Sequence, residues 1–191
     1  KEFINDHIEY GTLLDVGCST GEFIKALDWV GEAYGMEVSP FAQNIAEKSG
    51  IKFDKNLLTE KQFFDIITMR GVAQHLDTPF YYFQKAHEAL KVGGVLVFLA
   101  TPNTNSIYFK LWNTLPLLDA PRNFYVPSDK ELINALSNIG FRLVAIKYPY
   151  VGSPYANYFL DHLKFLIKLI GFNVSFPFWR NSMDLILEKI E

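Results

Sequence analysis

Two carboxylates and a glycine turn stand close together near the start of the chain. Asp15, Gly17 and Gly21 fall in Thr12-Leu13-Leu14-Asp15-Val16-Gly17-Cys18-Ser19-Thr20-Gly21. Leu13, Leu14 and Val16 read as a buried parallel strand, Gly17 and Gly21 allow a tight turn with close backbone approach, and Glu22 to Trp29 opens a helix behind it. A helix start attracts anions through its free amides, but Asp15 would repel a pyrophosphate. The pattern therefore favours a nucleotide-type ligand that carries positive charge and whose own carboxylate can meet the amides of the turn. Glu37 ends the next apolar segment and stands 20 residues beyond Gly17, the spacing for a carboxylate on a ribose diol. NAD enzymes use the same device, and Glu37 could instead cap the helix that begins near Pro40. His75 follows a later strand, where an imidazole with an unperturbed pKa of about 6.5 suits proton transfer. It could equally pack against or cap the following helix.

The elements that must hold these residues alternate along the chain, which predicts a doubly wound α/β domain. Strands are expected at 12–16, 33–37, 51–53, 65–69, 94–100, 141–148 and 183–190, with helices at 22–29, 40–48, 79–91 and 128–139. The helix from Pro79 has Asp77 or Thr78 as its cap and Phe80, Phe83, Ala86 and Leu90 at core spacing, with Gly93-Gly94 to stop it. The region from Pro102 to Arg122 reads as a long loop or short helix over the carboxyl edge of the sheet. From Tyr148 to Trp179 the chain is rich in aromatic residues. Within it Phe159, Leu160, Leu163, Leu166, Ile167 and Ile170 repeat at helical spacing, as a lid on the same domain, a dimer contact or a shallow membrane contact.

Length and composition narrow the classes. At 191 residues and 49% hydrophobic content, one sizeable core is expected, as a single domain with its core at about 10–148 and 181–191 and a helical insertion or lid at 149–180. A net charge of -3 gives no general attraction to nucleic acid or anionic lipid. The single Cys18 forms no internal disulfide, fits a reducing compartment and reads as packing rather than catalysis. No secretory signal and no apolar run of about 20 residues is visible, so a cytoplasmic protein is expected. The chain opens on Lys1 rather than Met, and an N-terminal segment is expected to precede it.

Leu13-Leu14-Asp15-Val16-Gly17-Cys18-Ser19-Thr20-Gly21-Glu22-Phe23 resembles motif I of class I S-adenosylmethionine-dependent methyltransferases, with Ser19 in place of the usual middle glycine. The segment is not a phosphate-binding GxxxxGK[ST], and Glu22 sits where a dinucleotide fingerprint needs its third glycine. Phe63 to Arg70 resembles the fourth strand of that family, and Ala89-Leu90-Lys91-Val92-Gly93-Gly94 its leucine-lysine-proline-glycine-glycine motif. The resemblance implies a Rossmann-like seven-stranded sheet, mostly parallel with the last strand antiparallel, and S-adenosyl-L-methionine as cofactor. It assigns cofactor contacts to Asp15, Gly17, Cys18, Ser19, Gly21, Glu37 and Val38, the adenine to Asn56 and Leu57, and the methionine part to Met69 and Arg70.

The segments 73–79, 101–106 and 138–141 look like a bacterial subgroup that often follows an N-terminal zinc ribbon and acts on small molecules, sugars or cell-surface precursors. Some relatives bind a divalent ion beside the histidine. Gly71 and Gln74 replace their carboxylates, so no metal is expected, and Asn123 stands where a second base is usual. The expected function is methyl transfer to an oxygen of a small-molecule acceptor with His75 as base, with no nucleic-acid partner, no stable membrane insertion and a possible homodimer through 155–180. Two rivals remain: a catalytically silent scaffold that still binds cofactor, and an NAD-dependent enzyme on a related sheet.

Overall fold

The structure is a computed structural model that describes residues 2–54, 59–116, 118, 121–150 and 156–191. In chain order the elements are α1 (Glu2–Asn5), β1 (Leu13–Val16), α2 (Glu22–Leu27), β2 (Ala33–Met36), α3 (Pro40–Glu47), β3 (Phe64–Arg70), a 3-10 turn (Ala73–His75), α4 (Pro79–Ala89), β4 (Leu90–Pro102), α5 (Ile107–Trp112), α6 (Asp129–Ile139), β5 (Phe141–Lys147), α7 (Tyr158–Leu169) and β6 (Ser182–Lys189).

Among the described residues the sheet has six strands in the order β2-β1-β3-β4-β6-β5. Strands β1 to β4 pair in parallel, and β6 inserts antiparallel between β4 and β5. The expectation of seven strands is corrected at Ile51–Phe53, which touches β2 through a single bridge between Tyr34 and Lys52. The reason is local: the amide of Ile51 turns back to the carbonyl of Ala46 at the end of α3, so only Lys52 offers both its N–H and its C=O to β2.

Strand residues alternate between two layers. Leu14, Val16, Ile67, Met69, Leu96, Phe98, Leu185 and Leu187 pack against Phe83 and Ala86 of α4 and Leu132 and Leu136 of α6. Leu13, Ile66, Val95, Val97 and Ile186 face Ile4 of α1, Ile24 and Leu27 of α2 and Ala46 of α3. Asp15 and Thr68 continue this second row, so a carboxyl and a hydroxyl lie in register within an apolar layer. The core thus starts earlier than residue 10, since Ile4 is fully buried.

Helix α6 begins with a full capping box, Ser128 and Glu131 each satisfying the other's backbone amide. Helix α4 starts at Pro79 with Thr78 as cap, as expected, and ends early. Thr78 caps it without a side-chain bond, Phe80 is exposed against Tyr125, and the helix stops at Ala89, before Gly93-Gly94, because Leu90 already pairs with Phe64 of β3.

The aromatic tail packs on its own domain. Phe165 stacks on Phe178 at 4.8 Å and meets Trp112 of α5 edge-on at 5.2 Å, around buried Tyr108 and Phe176. The face of α7 that packs carries Phe165 and buried Asp161, which accepts from the Tyr150 hydroxyl and the Asn157 amide. Of the three expectations for the apolar stripe of α7, packing as a lid is not met by its own residues, which point outward, with Phe159 at 85% and Ile170 at 74% exposure. Tyr155 lies outside the described residues. Among the described residues no helix is long and apolar enough to cross a membrane.

Candidate active site

The site grows from the carboxyl end of β1. Asp15 is 2% exposed, and its Oδ1 accepts from the Thr68 hydroxyl at 2.6 Å. Burial pushes its carboxyl up to about 7, against the pull of that hydroxyl and of the Arg70 charge. Directly after Val16 the backbone turns through left-handed conformations at Gly17 (φ 74), Ser19 (φ 48) and Gly21 (φ 81) before α2 starts. A Cβ at Gly17 would collide with Val72 and one at Gly21 with Ile51, so the two glycines are needed for space as well as for φ. Ser19 adopts the same handedness without being glycine, at a cost of about 1 kcal/mol.

Glu37 lies across this turn. Its Oε2 accepts the amide of Ser19 at 3.0 Å, and Oε1 accepts those of Val38 and Ser39 at 2.8 and 2.9 Å. Gln43 from α3 donates to the Glu37 carbonyl. The cap of α3 is Ser39, which accepts from Ala42, so helix capping does not account for the reach of Glu37 to Ser19. The amides of Gly17 and Cys18 bond the Met36 carbonyl and that of Gly21 bonds Cys18. The amides of Gly17, Cys18, Ser19 and Gly21 are thus engaged within the turn and with β2 and Glu37. The amide of Ser19 becomes available only if Glu37 releases it.

Cys18 is buried against Gly35 and its thiol is pushed up to about 12 by burial and by the nearby Asp15 and Glu37 charges, which makes it inert as a nucleophile. Val38 is almost fully exposed and Phe41, which the sequence did not single out, stands exposed at the start of α3, leaving two apolar groups beside Glu37. Met69 is buried in the layer facing α4, and Arg70 is exposed with its guanidinium 5.4 Å from the Phe23 ring. Asn56 and Leu57 lie outside the described residues.

His75 ends the 3-10 turn and is exposed. Its Nδ1 lies 2.9 Å from the Arg122 carbonyl, which fixes the proton on Nδ1 and leaves Nε2 as the acceptor nitrogen. Nearby, Gln74 donates to the Gly71 carbonyl. The other histidines are structural: His7 and His162 bond helical carbonyls, and His87 packs edge-on against Phe141.

Adjoining the turn is a cleft of about 1230 Å³ at the ends of β3, β4, β5 and β6. Glu22, Phe23 and Arg70 line its side nearest the turn, whereas Asp15, Gly17, Glu37 and His75 do not line it. Asn181 and Asp184, also in its wall, were missed in the sequence. The signal for Asp184 was present, since a carboxylate interrupts the apolar run Met183-Asp184-Leu185-Ile186-Leu187. Asp184 accepts the amide of Ala100 at 2.8 Å, where β4 bulges between Phe98 and Thr101 and Ala100 takes φ 51. Burial raises its carboxyl, opposed by that amide and by Lys147. For Asn181 the sequence held no signal.

A family model described as a methyltransferase domain matches residues 2–146. The chain belongs to that family. It is a class I S-adenosylmethionine-dependent methyltransferase by fold and family, with S-adenosyl-L-methionine as its cofactor. It is 30% identical over 104 residues to a ubiquinone biosynthesis O-methyltransferase of Ruegeria pomeroyi, covering 49% of this chain and 42% of that one. It is 22% identical over 142 residues to a tRNA U34 carboxymethyltransferase of Desulfotalea psychrophila, covering 68% and 44%. The chain thus spans less than half the length of each of these relatives. A crystal structure of a methyltransferase of Bacillus halodurans superposes with a TM-score of 0.72 at 14% identity, covering 99% of this chain and 97% of that one, which shows the shared fold.

The residues present fit a cationic, ribose-bearing group: a buried carboxyl at Asp15, a carboxylate at Glu37 aimed across the turn, and exposed apolar Val38 and Phe41 beside it. Burial of Asp15 also has a consequence for stability. The native state holds its proton up to about pH 7 while the unfolded chain releases it near 3.8, so stability contributed here falls as pH rises through that window and is flat above it. Asp15→Asn is expected to match the native protein near pH 4 and to exceed it at pH 8 by about 2–4 kcal/mol. Urea unfolding at both pH values measures this; an unchanged difference would contradict the buried, protonated carboxyl.

Proposed function

We propose that this domain transfers a methyl group to an oxygen of a small-molecule acceptor seated in the cleft, within the reducing cytoplasm. The observation that carries the reading is the pair of carboxylates on one turn, Asp15 buried at its start and Glu37 bonded across it to Ser19, beside a cleft of about 1230 Å³. When bound, S-adenosylmethionine supplies an electrophilic methyl on a sulfonium. Asp15 holds the cationic end, favouring the ligand's ammonium and rejecting phosphate. Glu37 takes the ribose hydroxyls, exchanging its bond to Ser19 for them, and the released amide receives the ligand's carboxylate. Val38 lies against the adenosine, with Asn56 and Leu57 toward the adenine. Met69 and Arg70 border the methionine part.

Displacement at a methyl group needs alignment more than chemical assistance, so few side chains have to react. His75 stands outside the cleft lining, so the acceptor hydroxyl passes its proton through a bridging water to Nε2 of His75, whose tautomer the Arg122 carbonyl sets, and the exposed imidazole returns it to solvent. The apolar outer face of α7 joins a second copy of the chain, as its exposed leucines and Phe159 support.

Calorimetric titration with S-adenosylhomocysteine, run beside NAD, tests the reading. Saturable binding of S-adenosylhomocysteine alone is expected, several-fold weaker at pH 6 than at pH 7.5 because Asp15 must ionise, and at least tenfold weaker in Glu37→Ala. Binding of NAD instead, or none by a folded protein, would overturn it. For the acceptor on which turnover is first detected, His75→Gln is expected to lower kcat by about 10²-fold with little change in KM; unchanged kcat would remove the base. In sedimentation, the chain is expected to run as a dimer and Leu166→Glu as a monomer. A monomer at all concentrations would remove the α7 contact.

A further inference from the structure

The cleft has a polar group with nothing to bond. Asn181 is 7% exposed, yet neither Oδ1 nor Nδ2 of its side chain has a hydrogen-bond partner among the described residues, and the residue lines the cleft. Native proteins leave few buried polar atoms unpaired, since each costs about 1–3 kcal/mol. Two on one amide in the wall of an open cleft point to a partner that arrives from outside.

The surroundings hold that amide in place. The Asn181 backbone is fixed at both groups, its amide donating to Phe178 and its carbonyl accepting from Asn103. Arg180 just before it adopts a left-handed φ of 63, and its guanidinium donates to Asp129 at 2.6 Å and to the Tyr148 hydroxyl at 2.7 Å, over the Tyr148 ring. Asp129 is further held by Asn105 and, through its own amide, by Asn103. This bracing ties the turn before β6 to the start of α6 and fixes the backbone from which the Asn181 side chain projects. An unpaired side chain on such a frame is pre-organised for a ligand.

The walls say what kind of ligand. Phe23, Leu99, Tyr150, Phe176 and Phe178 face the same cleft, and its charged groups are mixed in sign, Arg70 and Lys147 against Glu2, Glu22 and Asp184, so no single sign of charge selects an ion. A neutral amide offers one acceptor and two donors but no charge, so it pairs with a hydroxyl or carbonyl rather than a phosphate or carboxylate. Aromatic walls accept a flat apolar body. A free sugar would press hydroxyls against Phe176 and Phe178 on faces where nothing returns the hydrogen bonds they lose.

We infer that Asn181 anchors the acceptor of the methyl-transfer reading, and that this acceptor is an uncharged, mostly apolar molecule with a hydroxyl or carbonyl at its buried end. The inference rests on that reading for the occupant's role as acceptor, and it sets an apolar acceptor in place of the expected sugar. The family match ends at residue 146, so Tyr150, Phe176, Phe178 and Asn181 belong to the part of the chain beyond it.

The test is equilibrium binding of three probes to the full chain, with and without saturating S-adenosylhomocysteine: 1-naphthol, naphthalene and methyl α-D-glucopyranoside. The wild-type protein is expected to prefer 1-naphthol over naphthalene by about tenfold and to bind the glucoside more weakly than either. Asn181→Leu removes the preference for the hydroxyl while still binding naphthalene, and it melts no lower than the wild type, because the variant loses an unpaired buried amide rather than a structural bond. Equal binding of 1-naphthol and naphthalene, a preference that survives in Asn181→Leu, or tighter binding of the glucoside would overturn the assignment. Should the hydroxyl preference hold while S-adenosylhomocysteine fails to bind, the anchor stands and the methyl-transfer reading falls. The reverse outcome removes only the anchor.

Discussion

A carboxyl group buried inside a parallel sheet is the constraint around which this molecule is arranged. Asp15 sits in the row of Leu13, Ile66 and Ile186, where an aliphatic side chain would cost nothing, and the Thr68 hydroxyl lies in register beside it. The sheet order follows from what that position requires. Strand β1 lies between β2 and β3, so its carboxyl end opens next to Glu37 on one side and Arg70 on the other. No edge strand could bring those two groups to the same turn.

The turn itself stores conformational cost. Three left-handed residues within five positions are needed to reverse the chain over Asp15, and Ser19 occupies one of them without the freedom of glycine. What holds Ser19 there is its amide, bonded to the Glu37 carboxylate. The two carboxyl groups thus act on one loop from opposite ends, one by burial and one by a hydrogen bond.

The region beyond residue 146 has a different logic. Its aromatic residues form a small core with α5, and Arg180, Tyr148 and Asp129 lock the chain's return into β6. Asp129 is drawn down to about 2 by its hydrogen bonds to Tyr148, Asn105, Arg180 and the Lys130 amide, which outweigh burial. It is therefore a permanent anion under ordinary conditions, and the brace does not relax near neutral pH. The cleft lies between this braced segment and the glycine turn after β1.

Much of this was legible from sequence. The alternation of apolar segments with capped helices located nearly every element, because burial of a strand face and satisfaction of helix ends are decided by neighbours in the chain. Asp15, the glycine turn and Glu37 were legible for the same reason, since their spacing reflects one βαβ unit. Tertiary structure decided what depends on distant partners. Ile51–Phe53 became a bridge because Ile51 is claimed by α3, Phe80 stayed exposed while Phe83, Ala86 and Leu90 reached the core as expected, and the apolar stripe of α7 faced outward while Asp161 met Tyr150 within the fold. Asn181 could not be read at all from its sequence. An asparagine is informative only through the partners it lacks, and those are set by the packing of segments far apart along the chain.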